Sequence, residues 1–268
     1  MLEQYANQAS GLLGLGSQTG PRLIAMVSHG DEHAELPLLW QLCMSFVQLG
    51  YSITVLDGTT VESETNPGLE QVLNHSLWPD YGPKGMPAWS VLPSAKGIHF
   101  LASDRGAQAG GLDGLYRVCP REGVLALYCS AESMTHLLTE WQADPLLVVS
   151  SKRSSLLTGY LALKRLLISG KLKPTIIHML QDHELRQTAG PVTGSSGLSA
   201  CAKRFLGYEG RTLDLRVPGN DAQPGADIQS LALRLLENSM TLGGRNGSPT
   251  RFNRSPQPRR FDQFAESH

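Results

Sequence analysis

The chain is poor in charge, in aromatic rings and in cysteine, and each shortage removes a class of protein. Charged residues fill only 18% of the 268 positions and nearly cancel, to a formal −1. No global basic field therefore favours nucleic acid, and no acidic excess favours wholesale disorder. The cysteines, Cys43, Cys119, Cys129 and Cys201, lie far apart with no CxxC pair. That spacing offers no disulfide framework and fits a reducing compartment. No apolar run approaches the roughly 18 residues that a membrane span requires. The opening MLEQYANQAS has neither a cationic nor an apolar stretch, so no secretory signal is expected and a cytoplasmic location is. What is present is a 41% hydrophobic content, enough for the core of a large α/β domain.

The apolar residues are arranged in alternating strand-like and helix-like runs. PRLIAMVS (21–28), YSITVLD (51–57), AWSVLP (88–93), GVLALYCS (123–130), PLLVVSS (145–151), PTIIHML (174–180) and RTLDLRVP (211–218) read as strands. Most are continuously apolar, as strands buried on both faces must be. Between them, residues 36–50, 67–75, 133–142, 155–170, 196–207 and 226–240 read as helices. Pro37 suits the first turn of a helix beginning at residue 36, and Gly50 suits its C-terminal cap. The alternation predicts a doubly wound, mostly parallel sheet with helices on both faces. Residues 1–20 form a leader with an apolar cluster and a Gly/Ser/Thr hinge, 21–241 the domain, and 242–268 a basic tail. Five arginines against Asp262 and Glu266, among prolines and glycines, predict that the tail is disordered.

In such a sheet ligands bind beyond the carboxyl ends of the strands. The loop after the first strand is SHGDEHAELP (28–37). It has one glycine, Gly30, no lysine, and three acids, Asp31, Glu32 and Glu35. A nucleoside triphosphate brings about three to four negative charges, and each carboxylate beside it costs on the order of 1 kcal/mol even when partly solvated. The loop is therefore a poor phosphate cradle, and its plainest reading is a polar, solvated turn. His29-Gly30-Asp31-Glu32-His33 also matches H-x-x-E-H, in which two histidines on one helix hold zinc beside a glutamate base. A zinc hydrolase is the least favoured reading, because Gly30 follows a strand and neither Glu122 nor Glu132 makes a clear third ligand.

The order of these segments resembles the MinD/ParA family of deviant P-loop ATPases, most of all its flagellar-number regulators, the FlhG/FleN group. LLVVSSKRSSLLTGYLALKRLL (146–167) is similar to the family's VVTTPEPTSLTDAYALIK stretch and is the most specific match. WSVLPSAKGIHFLAS (89–103) resembles its strand ending in an LP…G turn, and AKRFLG with LDLRVPGND resembles its late FLG and I-P-x-D segments. The family's SGKGGVGKT appears here as SHGDEHAEL, with Glu35 in the place of the phosphate-binding lysine. Its D-x-D keeps Asp57 but has Thr59 for the second acid. Its D-T-x-A-G strand end appears as ALYCSAES without the aspartate, and its base-recognising asparagine as His178. In the leader, Asn7-Gln8-Ala9-Ser10-Gly11-Leu12-Leu13 is similar to the D-Q-A-x-G-L-R helix with which such regulators touch the signal-recognition-type GTPase FlhF.

The resemblance implies a P-loop NTPase fold and a degenerate nucleotide site built from Gly30, Glu35, Asp57, Lys152 and Arg153. It implies a partner-binding leader carrying Gln8, Ala9 and Leu12. Phosphoryl transfer depends on positioning and charge neutralisation by the groups that are missing. Retained order with lost groups implies a pseudo-ATPase that acts through a protein partner, an FlhF-like GTPase, in flagellar number or placement. No cofactor and no metal site is then expected. The alternative is an active ATPase, binding ATP and Mg, in which Lys152 or Arg153 supplies the missing charge. Family members dimerise around ATP, so a dimer is compatible with either reading. No nucleic-acid partner is expected, and five arginines in the tail give at most a marginal membrane contact.

Overall fold

A computed structural model describes residues 20–74, 88–103, 106, 111–119, 122–139, 141, 143–180, 193–216 and 223–242. The leader with Gln8, Ala9 and Leu12, and the tail from residue 243, lie outside the described residues. Seven parallel strands carry the fold: β1 (Arg22–Ser28), β2 (Ile53–Asp57), β3 (Trp89–Pro93), β4 (Val124–Ser130), β5 (Leu146–Ser150), β6 (Thr175–Leu180) and β7 (Thr212–Arg216). They lie in the order β3-β2-β4-β1-β5-β6-β7, and a short β8 (Met240–Thr241) pairs antiparallel with β1. β1 and β4 are in register over their full length, Arg22 opposite Val124 through Ser28 opposite Ser130. The doubly wound α/β architecture expected from the sequence is the one observed.

Side-chain alternation divides the core. Leu23, Ala25 and Val27 of β1 face a layer that contains α2 (Leu69–Leu73), α3 (Ala95–Leu101), α4 (Ala131–Leu138), α5 (Arg153–Ile168) and α6 (Thr193–Cys201). Ile24 and Met26 face the opposite layer, where α1 (Glu32–Gln48) and α7 (Ala226–Asn238) pack together. Continuous apolar strands are thus the signature of a sheet buried on both sides.

Several boundaries differ from the sequence expectation. α1 begins at Glu32, not at residue 36, and Pro37 sits inside it. Pro37 cannot donate to the carbonyl of His33, so the helix forgoes one hydrogen bond to gain an earlier turn. α3 was not expected, because Gly97 and His99 disguise it. Gly20 and Leu242 belong to the folded domain: both are buried, and the Leu242 amide donates to the Pro21 carbonyl at 2.9 Å. β8 occupies the lower edge of β1, so β5 meets β1 only at Met26 and Val27. No helix among the described residues is long and apolar enough to cross a membrane.

Candidate functional site

β1, β2, β4 and β5 end on the same edge of the sheet, and the turns and helix starts there hold Gly30, Glu35, Asp57, Lys152 and Arg153. After Ser28 the chain turns through Gly30, whose φ of 96° is the left-handed conformation that glycine tolerates best. Asp31 then stands at the N-cap of α1, but its side chain takes no first-turn amide. It reaches across to β5, where the Ser150 hydroxyl donates to Oδ2 at 2.6 Å. Burial pushes the Asp31 carboxyl up. Hydrogen bonds from Ser150 and Ser155 and the charges of His29 and Lys152 outweigh it and hold the group below its ordinary range.

Glu35 makes the opposite excursion. It lies in the first turn of α1, is wholly buried, and points back into the loop. The backbone amides of His29 and Asp31 both donate to its Oε1 at 3.0 Å. The Tyr128 hydroxyl, from β4, donates to Oε2 at 2.5 Å. The His29 ring stands 3.4 Å from Oε1 and is itself fixed between Val148 and Thr158. The Val148 carbonyl can only accept, so Nε2, 2.5 Å from it, carries a proton. Converging amides at a strand-to-helix turn form a nest for an anion. Here the anion is the chain's own carboxylate. The loop is not the solvated turn expected from its composition, since both Asp31 and Glu35 are buried and hydrogen-bonded.

The remaining groups are similarly committed. At the end of β2, Asp57 Oδ1 accepts from the Thr59 amide at 2.9 Å and the Thr59 hydroxyl at 2.6 Å, while Oδ2 accepts from the Thr60 hydroxyl at 2.6 Å. Lys152 and Arg153 are exposed at the start of α5, and no ion pair involving either is found among the described residues. The structure therefore places Gly30, Glu35, Asp57, Lys152 and Arg153 on one edge of the sheet. It joins Glu35 to the loop amides and leaves the two cations pointing to solvent. The zinc pattern does not assemble. The His29 ring is held by Val148 and Thr158, His33 is exposed on α1, and no metal-competent cluster of His, Cys, Asp and Glu occurs among the described residues.

Sequence reasoning missed Tyr128 and the ground beside it. A tyrosine inside an otherwise apolar buried strand was the available signal, since a buried hydroxyl needs a partner. Next to it a groove of about 370 Å³ runs between α1 and β3, walled by Leu36, Trp40, Trp89 and Val91 and closed at one end by Glu32 and Asp57. A larger cleft of about 610 Å³ opens on the other face between α4 and α5, where Lys164 and Arg165 line it.

Neither a family model nor a curated protein sequence matches the chain. Solved structures do match it. A chain of the MinC:MinD cell division protein complex of Aquifex aeolicus superposes with a TM-score of 0.52 at 12% identity, covering 82% of this chain and 98% of that one. The Aquifex aeolicus MinD cell division protein gives 0.51 at 12%, over 82% and 99%. A ParA family ATPase from Chlorobium tepidum gives 0.50 at 12%, over 80% and 98%. The chain has the MinD/ParA fold. In that fold a nucleotide would address the β1 loop, and the residues present do not fit one. The His29 and Asp31 amides already hold Glu35, and its buried carboxylate would repel a phosphate brought to the same turn.

Proposed function

We propose that this protein is a MinD/ParA-type regulator that has given up nucleotide hydrolysis and acts by binding protein partners in flagellar number or placement. The observation that carries the first part is the seat of Glu35. A triphosphate would have to displace a carboxylate held by two amides and a tyrosine hydroxyl, with charge-assisted bonds of about 1.5–3 kcal/mol each. It would then face Asp31 and Glu32 without a neutralising lysine on the loop. The flagellar assignment is supported by the FlhG/FleN-like order of segments. The leader, through Gln8, Ala9 and Leu12, is the proposed contact with an FlhF-like GTPase, and the complex of MinD with MinC shows that the fold can serve as a docking body.

Calorimetric titration of the purified full chain with ATP, with and without magnesium, tests the pseudo-ATPase. No heat of binding and no phosphate release are expected. Micromolar binding with turnover would overturn the reading, and loss of that turnover in Arg153→Ala would favour a site that borrows the exposed cations of α5. Deleting residues 1–15 tests the leader. The deletion should abolish partner binding and disturb flagellar number, and intact binding would refute its role.

A further inference from the structure

The groove between α1 and β3 borders the Glu35 seat through Tyr128, which lines the one and holds the other. The helices on this face are α1 and α7, so beyond α1 no described helix covers β2 and β3. Trp40, Val91 and Leu36 are 45%, 57% and 44% exposed, and the two indoles meet at 4.3 Å between ring centroids with their planes tilted by 54°. Trp40 and Trp89 are two of the four tryptophans in the chain. Glu32 and Asp57 close the end of the groove at the carboxyl edge of the sheet. Paired indoles beside carboxylates form a receptor for guanidinium groups, which stack on aromatic faces and donate to acids at once.

The chain carries such a ligand. Residues 251–264, RFNRSPQPRRFDQF, hold Arg251, Arg254, Arg259 and Arg260 with Phe252, Phe261 and Phe264, against one acid, Asp262. The described chain ends at Leu242, just after β8, which flanks β1 on the side away from β4 and so lies four strand spacings from β3 in the sheet order β3-β2-β4-β1. Four inter-strand spacings amount to about 19 Å. Eight extended residues, 243–250, span about 26 Å, which brings Arg251 to the foot of β3 with length to spare. From there the groove rises roughly 13 Å along the strand to Asp57, a distance that the segment from Arg251 to Arg260 covers. The 610 Å³ cleft on the other face offers the same segment less, because its one acid, Glu132, is already paired with Arg165 and Lys164 lines it as well.

We infer that residues 251–264 dock in cis along the α1–β3 groove, with arginines against Trp40 and Trp89 and toward Glu32 and Asp57. The groove is then covered by the chain's own tail, and any partner that uses it must displace that tail. The inference does not depend on the absence of nucleotide binding.

Acrylamide quenching of tryptophan fluorescence in the full-length protein tests it. Replacing the four arginines by serine should raise the quenching constant about two-fold as the indoles are uncovered, and moving wild type from low salt to about 0.5 M should do the same. In a Trp40→Ala background the serine substitutions should change nothing further. Val91→Lys, at an exposed position, should release the tail with both indoles in place and serves if Trp40→Ala fails to fold by circular dichroism. Quenching indifferent to the arginines, or an equal response in both backgrounds, would overturn the inference. So would a response that depends on protein concentration, which would assign the groove to a second copy's tail, or one produced instead by deleting residues 1–15.

Discussion

At Glu35 one side chain decides what the β1 loop can hold. A carboxylate buried among two amides and a hydroxyl is stable only while all three donors face it. Glu35→Ala should therefore cost about 3–5 kcal/mol, by leaving the His29 and Asp31 amides and the Tyr128 hydroxyl unpaired in the interior. Tyr128→Phe removes one donor and should cost about 1.5–3 kcal/mol in urea melts. It should also change the alkaline limb. Burial, and then the hydrogen bond to Glu35, push the Tyr128 phenol above its ordinary value. Its contribution is complete below about pH 10 and is lost as pH rises toward the folded-state value, so the phenylalanine variant should lose less stability there. Asp31 behaves in the opposite sense. Its lowered value means a contribution that is present above about pH 4 and is lost as pH falls below that. Asp31→Asn should flatten the acid limb, and an unchanged limb would remove Asp31 from the account. The sequence shows Glu35 among the acids of the loop, yet not that it is buried, because the group that seats it lies 93 residues away on β4. A loop composition rich in acids suggests solvent, and only the β4–β1 pairing reveals the partner.

Helices and strands were legible where apolar periodicity is strong, and less so where a single residue sets the geometry. The five inner parallel strands follow from short apolar runs, because burial on both faces leaves little room for polar residues, while the edge strands β3 and β7 are partly exposed and β7 is mixed in composition. α1 starts early for a reason that periodicity does not contain. Its first turn, Glu32 to Glu35, is built from residues with business in the loop, and Pro37 is tolerated inside. α5 shows how close one element sits to another. At Gly159 a Cβ would stand 2.6 Å from Val149 Cγ1 of β5 and 3.9 Å from the His29 ring. Alanine in a helix normally gains about 1 kcal/mol over glycine. Val149 is fully buried and stiff about χ1, so it cannot yield, and overpacking of this kind costs about 1–3 kcal/mol. Gly159→Ala should therefore destabilise the protein despite its better propensity. A rise in melting temperature would show that α5 can move away from β5.

Across the whole molecule the first and last described segments are fastened to each other. β8 pairs Met240 and Thr241 with Leu23 and Arg22, Leu242 is fully buried, and the Leu242 carbonyl leaves no space for a side chain at Gly20. The clasp caps the part of the β1 edge that β5 does not reach. Composition alone cannot mark it, since Met-Thr-Leu before a Gly-Gly pair looks like the end of a helix running into a tail. A chain ending after Gly243 should keep its unfolding free energy to within about 1 kcal/mol, the scale expected of exposed cation–π contacts from the tail. A chain ending after Ser239 loses the buried Leu242, worth about 1.5–3 kcal/mol, and with it the two-residue ladder. It also uncovers a strand edge beside the core, which favours association between copies. Differential scanning calorimetry and sedimentation of the two truncations separate the effects: the shorter chain should melt earlier and self-associate, and equal behaviour would mean that β8 is dispensable to the fold.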